Sequence, residues 1–104
     1  MRWFEARKFI VFRNVKPEHY EMLRAKMTEW VNERKQHPER YGRYLRLHDG
    51  TAASFTMVGK SGGCALMEFD TAEQMQNTVQ FWNHMIQYTF VPIVLTERAQ
   101  TKKI

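Results

Sequence analysis

Three short runs in this chain are apolar at successive positions: Phe9-Ile10-Val11-Phe12, Cys64-Ala65-Leu66-Met67 and Phe90-Val91-Pro92-Ile93-Val94-Leu95. A β-strand covered on one face alternates apolar with polar, because successive side chains point to opposite faces. These runs do not alternate, so both faces of the sheet they build need cover. Only two amphipathic helical segments are available, and both are expected on the same side. The second cover is then expected to be another copy of the chain, with Ile10, Phe12, Leu66 and Val94 at a homodimer interface.

The 104 residues suit one domain. Its core is expected over about residues 8–95, with a polar, frayed tail at 96–104. Hydrophobic content of 43% and charged content of 26% are those of a globular protein. No apolar run approaches the length of a membrane span, and residues 1–8 lack an apolar signal region. Cys64 is the only cysteine, so an internal disulfide is impossible and a buried structural thiol is expected. A reducing, cytoplasmic location fits that usage. Net charge is +5, yet Lys and Arg are absent from Ser61 to Glu97. Such asymmetry marks either nucleic-acid binding or the solvated surface of a dimer. The basic residues are scattered, which favours the surface.

Residues 8–15 read as a strand. Lys16-Pro17-Glu18 opens a helix whose apolar stripe is Tyr20, Leu23, Met27, Trp30 and Val31, ending before Pro38. Residues 43–47 alternate cleanly, with Leu45 and Leu47 on one side and Tyr44 and Arg46 on the other. His48-Asp49-Gly50 is a turn signal. An extra strand is expected within 51–59, a loop at 59–63, and a strand over 64–69. Asp70-Thr71-Ala72-Glu73 matches a capping box with Asp70 as N-cap. The helix it opens is expected to bury Met75, Val79, Trp82 and Ile86, widened by Phe81 and Met85. The last strand is expected at 89–95, and Pro92 assigns it to an edge or a bulge. The order βαββαβ is the ferredoxin-like plan, an α+β antiparallel sheet with two helices on one face.

On these residues the chain resembles the dimeric α/β-barrel superfamily, in which two ferredoxin-like sheets pack face to face. The resemblance covers roughly residues 8–95. Its most specific parts are Cys64-Ala65-Leu66-Met67-Glu68-Phe69-Asp70-Thr71, the helix with Trp82, and Phe90-Val91-Pro92-Ile93-Val94. It is similar to a family of small uncharacterised proteins within that superfamily. The resemblance implies dimerisation. It also implies a range of activities: cofactor-free monooxygenases, haem-degrading enzymes, chlorite dismutase relatives, muconolactone isomerase and stress-response proteins.

No metal site is expected. His19, His37, His48 and His84 lack partners at ligand spacing, and no cysteine pair exists. No Gly-x-Ser-x-Gly, P-loop or dinucleotide fingerprint occurs, and Lys60-Ser61-Gly62-Gly63 is too short to signal phosphate binding. A pocket between sheet and helices is expected to hold a small, partly apolar molecule without a cofactor. Tyr44, Arg46 and His48 share one strand parity. If that side faces inward, Arg46 pairs an anion, His48 serves as acid or base, and Tyr44 donates a hydrogen bond. If it faces outward, they are a solvated strand face. Phe12, Trp30 and Trp82 are the expected aromatic lining. Trp82-Asn83-His84 offers a second cluster, though Trp82 fits the core better than a ligand platform, and the spacing of Asn14, Trp82 and His84 does not match a haem-degrading motif. A non-catalytic structural or stress-response dimer is the main alternative. RNA binding is the other, weakened because Cys64 and Leu66 occupy positions where stacking rings belong.

Overall fold

A computed structural model describes residues 7–57, 62–83 and 85–94. The expected tail at 96–104, most of the loop at 59–63, including Lys60 and Ser61, and His84 lie outside the described residues. The elements are β1 (Lys8–Val15), α1 (Tyr20–Gln36), β2 (Arg43–Tyr44), β3 (Ser54–Thr56), β4 (Gly62–Glu68), α2 (Ala72–Phe81) and β5 (Ile86–Pro92). Single 3₁₀ turns precede and follow α1, at Pro17–His19 and Pro38–Arg40. The strands form one antiparallel sheet in the order β2-β4-β1-β5, with β3 also paired to β4. This is the ferredoxin-like α+β fold.

The two-faced runs of the sequence occupy the two central strands and the edge strand β5. Phe9 lies opposite Met67, and Val11 opposite Ala65 and Phe90. These residues face the helices and form one core cluster with Phe69 and Met75 of α2. A second cluster joins Trp30 of α1 to Tyr41, Trp82 and Ile86, with Val15 and Tyr88 packed on it. Both helices therefore cover the same side. The other side carries Ile10, Phe12, Cys64, Leu66 and Val91, of which Phe12 and Val91 are 42% and 39% exposed.

The second half-sheet departs from the expected pair of strands. Leu45 still donates its N–H to Leu66 O, but the chain then leaves the sheet. It returns at Ala53, whose carbonyl accepts from Leu66 N. Between these points residues 46–52 make a small hairpin closed by the Arg46–Ala52 bridge. Asp49 Oδ1 accepts from Thr51 N and Oγ1, and Gly50 takes φ +89°, where a side chain is disfavoured. Phe55 then pairs with Cys64, which pairs on its other side with Phe12, so the two exposed phenylalanines flank the cysteine on the outer face.

Helix α2 starts one residue later than expected. Thr71 is the N-cap: its Oγ1 accepts from Gln74 N at 3.2 Å, while Gln74 Oε1 accepts from Asp70 N at 2.6 Å. The reason is that the Asp70 carboxylate is taken by Arg43 and Arg7. The helix ends at Phe81 because Asn83 adopts the left-handed conformation, φ 45°, which Asn tolerates. Ile86 is consequently the first residue of β5 and not the last of the helical stripe. Pro92 closes β5 on the sheet edge, where a missing N–H is harmless.

The α1 stripe also departs from expectation. Trp30 alone is buried, Leu23 is half-buried, and Tyr20, Met27 and Val31 are exposed. The helix is held at its C-terminal end, where Trp30 meets Tyr41 and Trp82 with ring centroids 5.0 and 5.5 Å apart. From Leu23 to Arg34 its sheet-facing side stands over a cavity.

Candidate functional site

That cavity, about 390 Å3, lies between α1 and the helix-side face of the sheet. Leu23, Met27 and Val31 of α1 form its roof, with Trp30 and Trp82 at the aromatic end and Val15 and Ile86 below. Its polar groups are Arg13, Arg34, Tyr44, Ser54 and Tyr88. No carboxylate lines it among the described residues.

Each polar group reaches the cavity for a local reason. Arg13 follows Phe9 and Val11 in strand parity, so it points to the helix side. Its guanidinium crosses Gly63, directly opposite on β4, and Nη2 donates to Phe55 O at 3.1 Å. A methyl group on Gly63 would meet that same carbonyl oxygen and come within 2.8 Å of Arg13 Nη2. Glycine here is what lets the guanidinium pass. Arg34 lies one helical turn beyond Trp30. Its guanidinium sits 4.4 Å from the Tyr44 ring centroid and 5.5 Å from that of Trp30, and Nη2 donates to Gly42 O at 3.1 Å. Tyr88 of β5 stacks on Phe90, with centroids 5.8 Å apart. Burial, with the neighbouring Tyr44, pushes the Tyr88 phenol well above its usual range, against the opposing charges of Arg13 and Arg34.

The hydroxyls of Tyr44, Ser54 and Tyr88 make no hydrogen bond among the described residues. Trp82 Nε1 is the one fully buried side-chain polar atom there that lacks a partner. Leaving a buried N–H unpaired costs about 1–3 kcal/mol. The Trp82 N–H has no accessible surface, so the cavity itself offers two guanidinium groups and three hydroxyls able to donate.

The structure brings Tyr44, Trp30 and Trp82 together in this cavity. Arg46 is not in its wall; it lines a neighbouring groove that shares Tyr44 and Arg34 with the cavity. His48 is exposed at the hairpin turn, because the strand that would have continued the Tyr44–Arg46 alternation breaks at Leu45. Phe12 is on the opposite face of the sheet, and Val94 lies beyond β5, 49% exposed. Sequence reasoning missed Arg13, Arg34 and Tyr88. Among the described residues, no cluster of His, Cys, Asp or Glu has the arrangement of a metal site. No described helix is long and apolar enough to cross a membrane.

Fold and cavity together define a small ferredoxin-like α+β domain with a cationic, aromatic cavity beneath its first helix. The chain belongs to the family described as domain of unknown function DUF3303, whose model matches residues 8–102. No curated protein and no solved structure matches the chain.

Proposed function

We propose that this protein binds a small, partly apolar anion between α1 and the sheet. The carrying observation is the cation pair: Arg13 and Arg34 line the cavity and meet no carboxylate in its described lining. Partly desolvated cations gain most from an anionic partner. The volume is at the lower end for ligand pockets, about 300–1,000 Å3, which suits a one- or two-ring molecule. Oxygenase- or isomerase-type chemistry needs a group that takes a proton near neutral pH. The described lining instead offers guanidinia and a protonated Tyr88, which stabilise an enolate or carboxylate oxygen. Binding is accordingly the primary role, with oxyanion stabilisation as the contribution these residues would make to turnover.

The test is a titration with naphthoate, followed by the fluorescence of Trp30 and Trp82 and by calorimetry. Saturable binding, weakened about tenfold by Arg13→Met, is the expected result, equivalent to losing one charge-assisted contact. Equal binding of a naphthylammonium cation would refute the anion reading.

The outer sheet face supports a second element of the proposal, a homodimer. Ile10, Phe12, Phe55, Leu66 and Val91 present an apolar surface where a solvated sheet would be polar. A single-stranded nucleic acid would need free cations beside Phe12 and Phe55. Among the described residues, Lys8 and Arg43, the cations at outer-face strand positions, are both engaged by Glu68. Sedimentation equilibrium should give twice the chain mass, and Leu66→Glu should give a monomer. A wild-type monomer would end this reading.

A further inference from the structure

The groove beside the cavity has a different character. It measures about 670 Å3 and runs between the C-terminal end of α1, the connection to β2, and the base of the 46–52 hairpin. Four cations line it: Arg34, Lys35, Arg43 and Arg46. No carboxylate does so among the described residues. Arg43 is neutralised, because its guanidinium bonds both Glu68 and Asp70. Lys35 and Arg46 have no partner among the described residues. Arg34 uses one N–H on Gly42 O and retains others, since a guanidinium carries five donors. Three charges thus converge on one groove without a counter-charge. The negative end of the α1 dipole opposes an anion there, but amounts to only about half a charge.

Arg34 and Tyr44 belong to both linings. Their stack, 4.4 Å from guanidinium carbon to ring centroid, is the point where the aromatic cavity and the cationic groove meet. A ligand of the cavity therefore adjoins, across the Arg34–Tyr44 stack, a groove lined by three uncompensated positive charges. A single carboxylate would satisfy only one of them. Arginine forks match the oxygens of a phosphate group, and lysine supplies a point charge beside them.

The geometry points to a two-part ligand: an apolar or aromatic body in the cavity, joined to a dianionic phosphate-ester head held by Arg34, Lys35 and Arg46. This rests on the small-anion reading above and names the class of molecule. Arg46 then binds the head and has no part in proton transfer. Lys35 and Arg46 are both exposed, so changing them to neutral residues leaves the core intact.

Four probes separate the possibilities: naphthyl phosphate, naphthoate, naphthol and inorganic phosphate. Each is titrated by calorimetry into the wild type and into the double variant Lys35→Gln/Arg46→Gln, with circular dichroism confirming the fold. Naphthyl phosphate should bind about tenfold or more tighter than naphthoate, and the double substitution should cut that ratio to about threefold or less. Equal affinity for the two, or a ratio the substitutions leave unchanged, would overturn the head-group assignment while naphthoate binding still upheld the cavity. Inorganic phosphate binding as tightly as naphthyl phosphate would overturn the two-part ligand. Failure of all three naphthyl probes would remove both readings.

Discussion

Replacing Gly63 with alanine would place a methyl group where two other groups already sit. One is the backbone carbonyl of Phe55 on β3, and the other is the Arg13 guanidinium, 2.8 Å from the new carbon. The guanidinium can swing aside. The carbonyl is fixed by the Phe55–Cys64 and Thr56–Gly63 pairing and can move only if β3 moves. Overpacking of this kind costs about 1–3 kcal/mol. Losing the charged hydrogen bond from Arg13 to Phe55 O costs about 1.5–3 kcal/mol. Alanine recovers about 0.5–1 kcal/mol through reduced backbone entropy. The net expectation for Gly63→Ala is about 2–4 kcal/mol of lost stability. With a urea m-value of about 1–3 kcal/mol/M, the unfolding midpoint should fall by about 1–2 M. Equilibrium unfolding followed by circular dichroism and tryptophan fluorescence measures it. A parallel series in an Arg13→Met background isolates the guanidinium share, and the cycle should show about 1 kcal/mol of coupling. A loss below about 0.5 kcal/mol would mean that neither the Phe55 carbonyl nor Arg13 packs over this residue, and the cationic wall of the cavity would have to be redrawn.

Further outcomes are expected elsewhere. Thr71→Ala should lower stability by about 1 kcal/mol, as N-cap losses do, while Asp70→Asn should leave the α2 cap in place, by chemical denaturation. Burial, and then the hydrogen bond to Glu33, push the Tyr41 phenol up from 10.0 to about 12. Its raised value favours the protonated native state, so that contribution is complete below pH 10 and lost as pH rises through about 12. Tyr41→Phe should remove this late transition from a tyrosinate absorbance titration. Arg43, and after it Arg7, hold Asp70 down at about 2 from 3.8. Their contribution is present above pH 3.8 and lost as pH falls through about 2, and added salt should weaken it because the group is exposed.

The element order and the cover of one face by both helices were legible because the apolar runs that begin at Phe9, Cys64 and Phe90 mark strands, although β5 ends at Pro92, before its run does. The Asp49-Gly50 turn was legible for the same local reason. The break after Leu45 was not, because Tyr44, Arg46 and His48 keep a strand's alternation while their backbone turns into a hairpin. The alternation of a two-residue strand and that of a short hairpin are the same pattern. The site was half legible. Trp30 and Trp82 were named as aromatic lining and Tyr44 from its strand parity. Arg13 carried a visible signal, a charge at the helix-facing position between Val11 and Val15, as did Arg34, one turn after Trp30 on the apolar stripe. Tyr88 was hidden by starting the last strand three residues late, an error that followed from extending α2 past Asn83. Nothing local announces that Asn83 turns left-handed.

The hairpin at residues 46–52 also decides how the sheet can grow. An open edge of unpaired N–H and C=O groups is a template for further strands, and the usual protections are short strands, bends and proline. The outer line beside β4 is cut into Arg43–Tyr44 and Ser54–Thr56, neither long enough to recruit a partner strand. The opposite edge, β5, terminates in Pro92. The β4 side is thus protected by two short strands and β5 is capped at its end by Pro92, while the broad face bearing Phe12, Cys64 and Leu66 stays open. Self-association through a face ends at two copies, whereas through an edge it has no natural end.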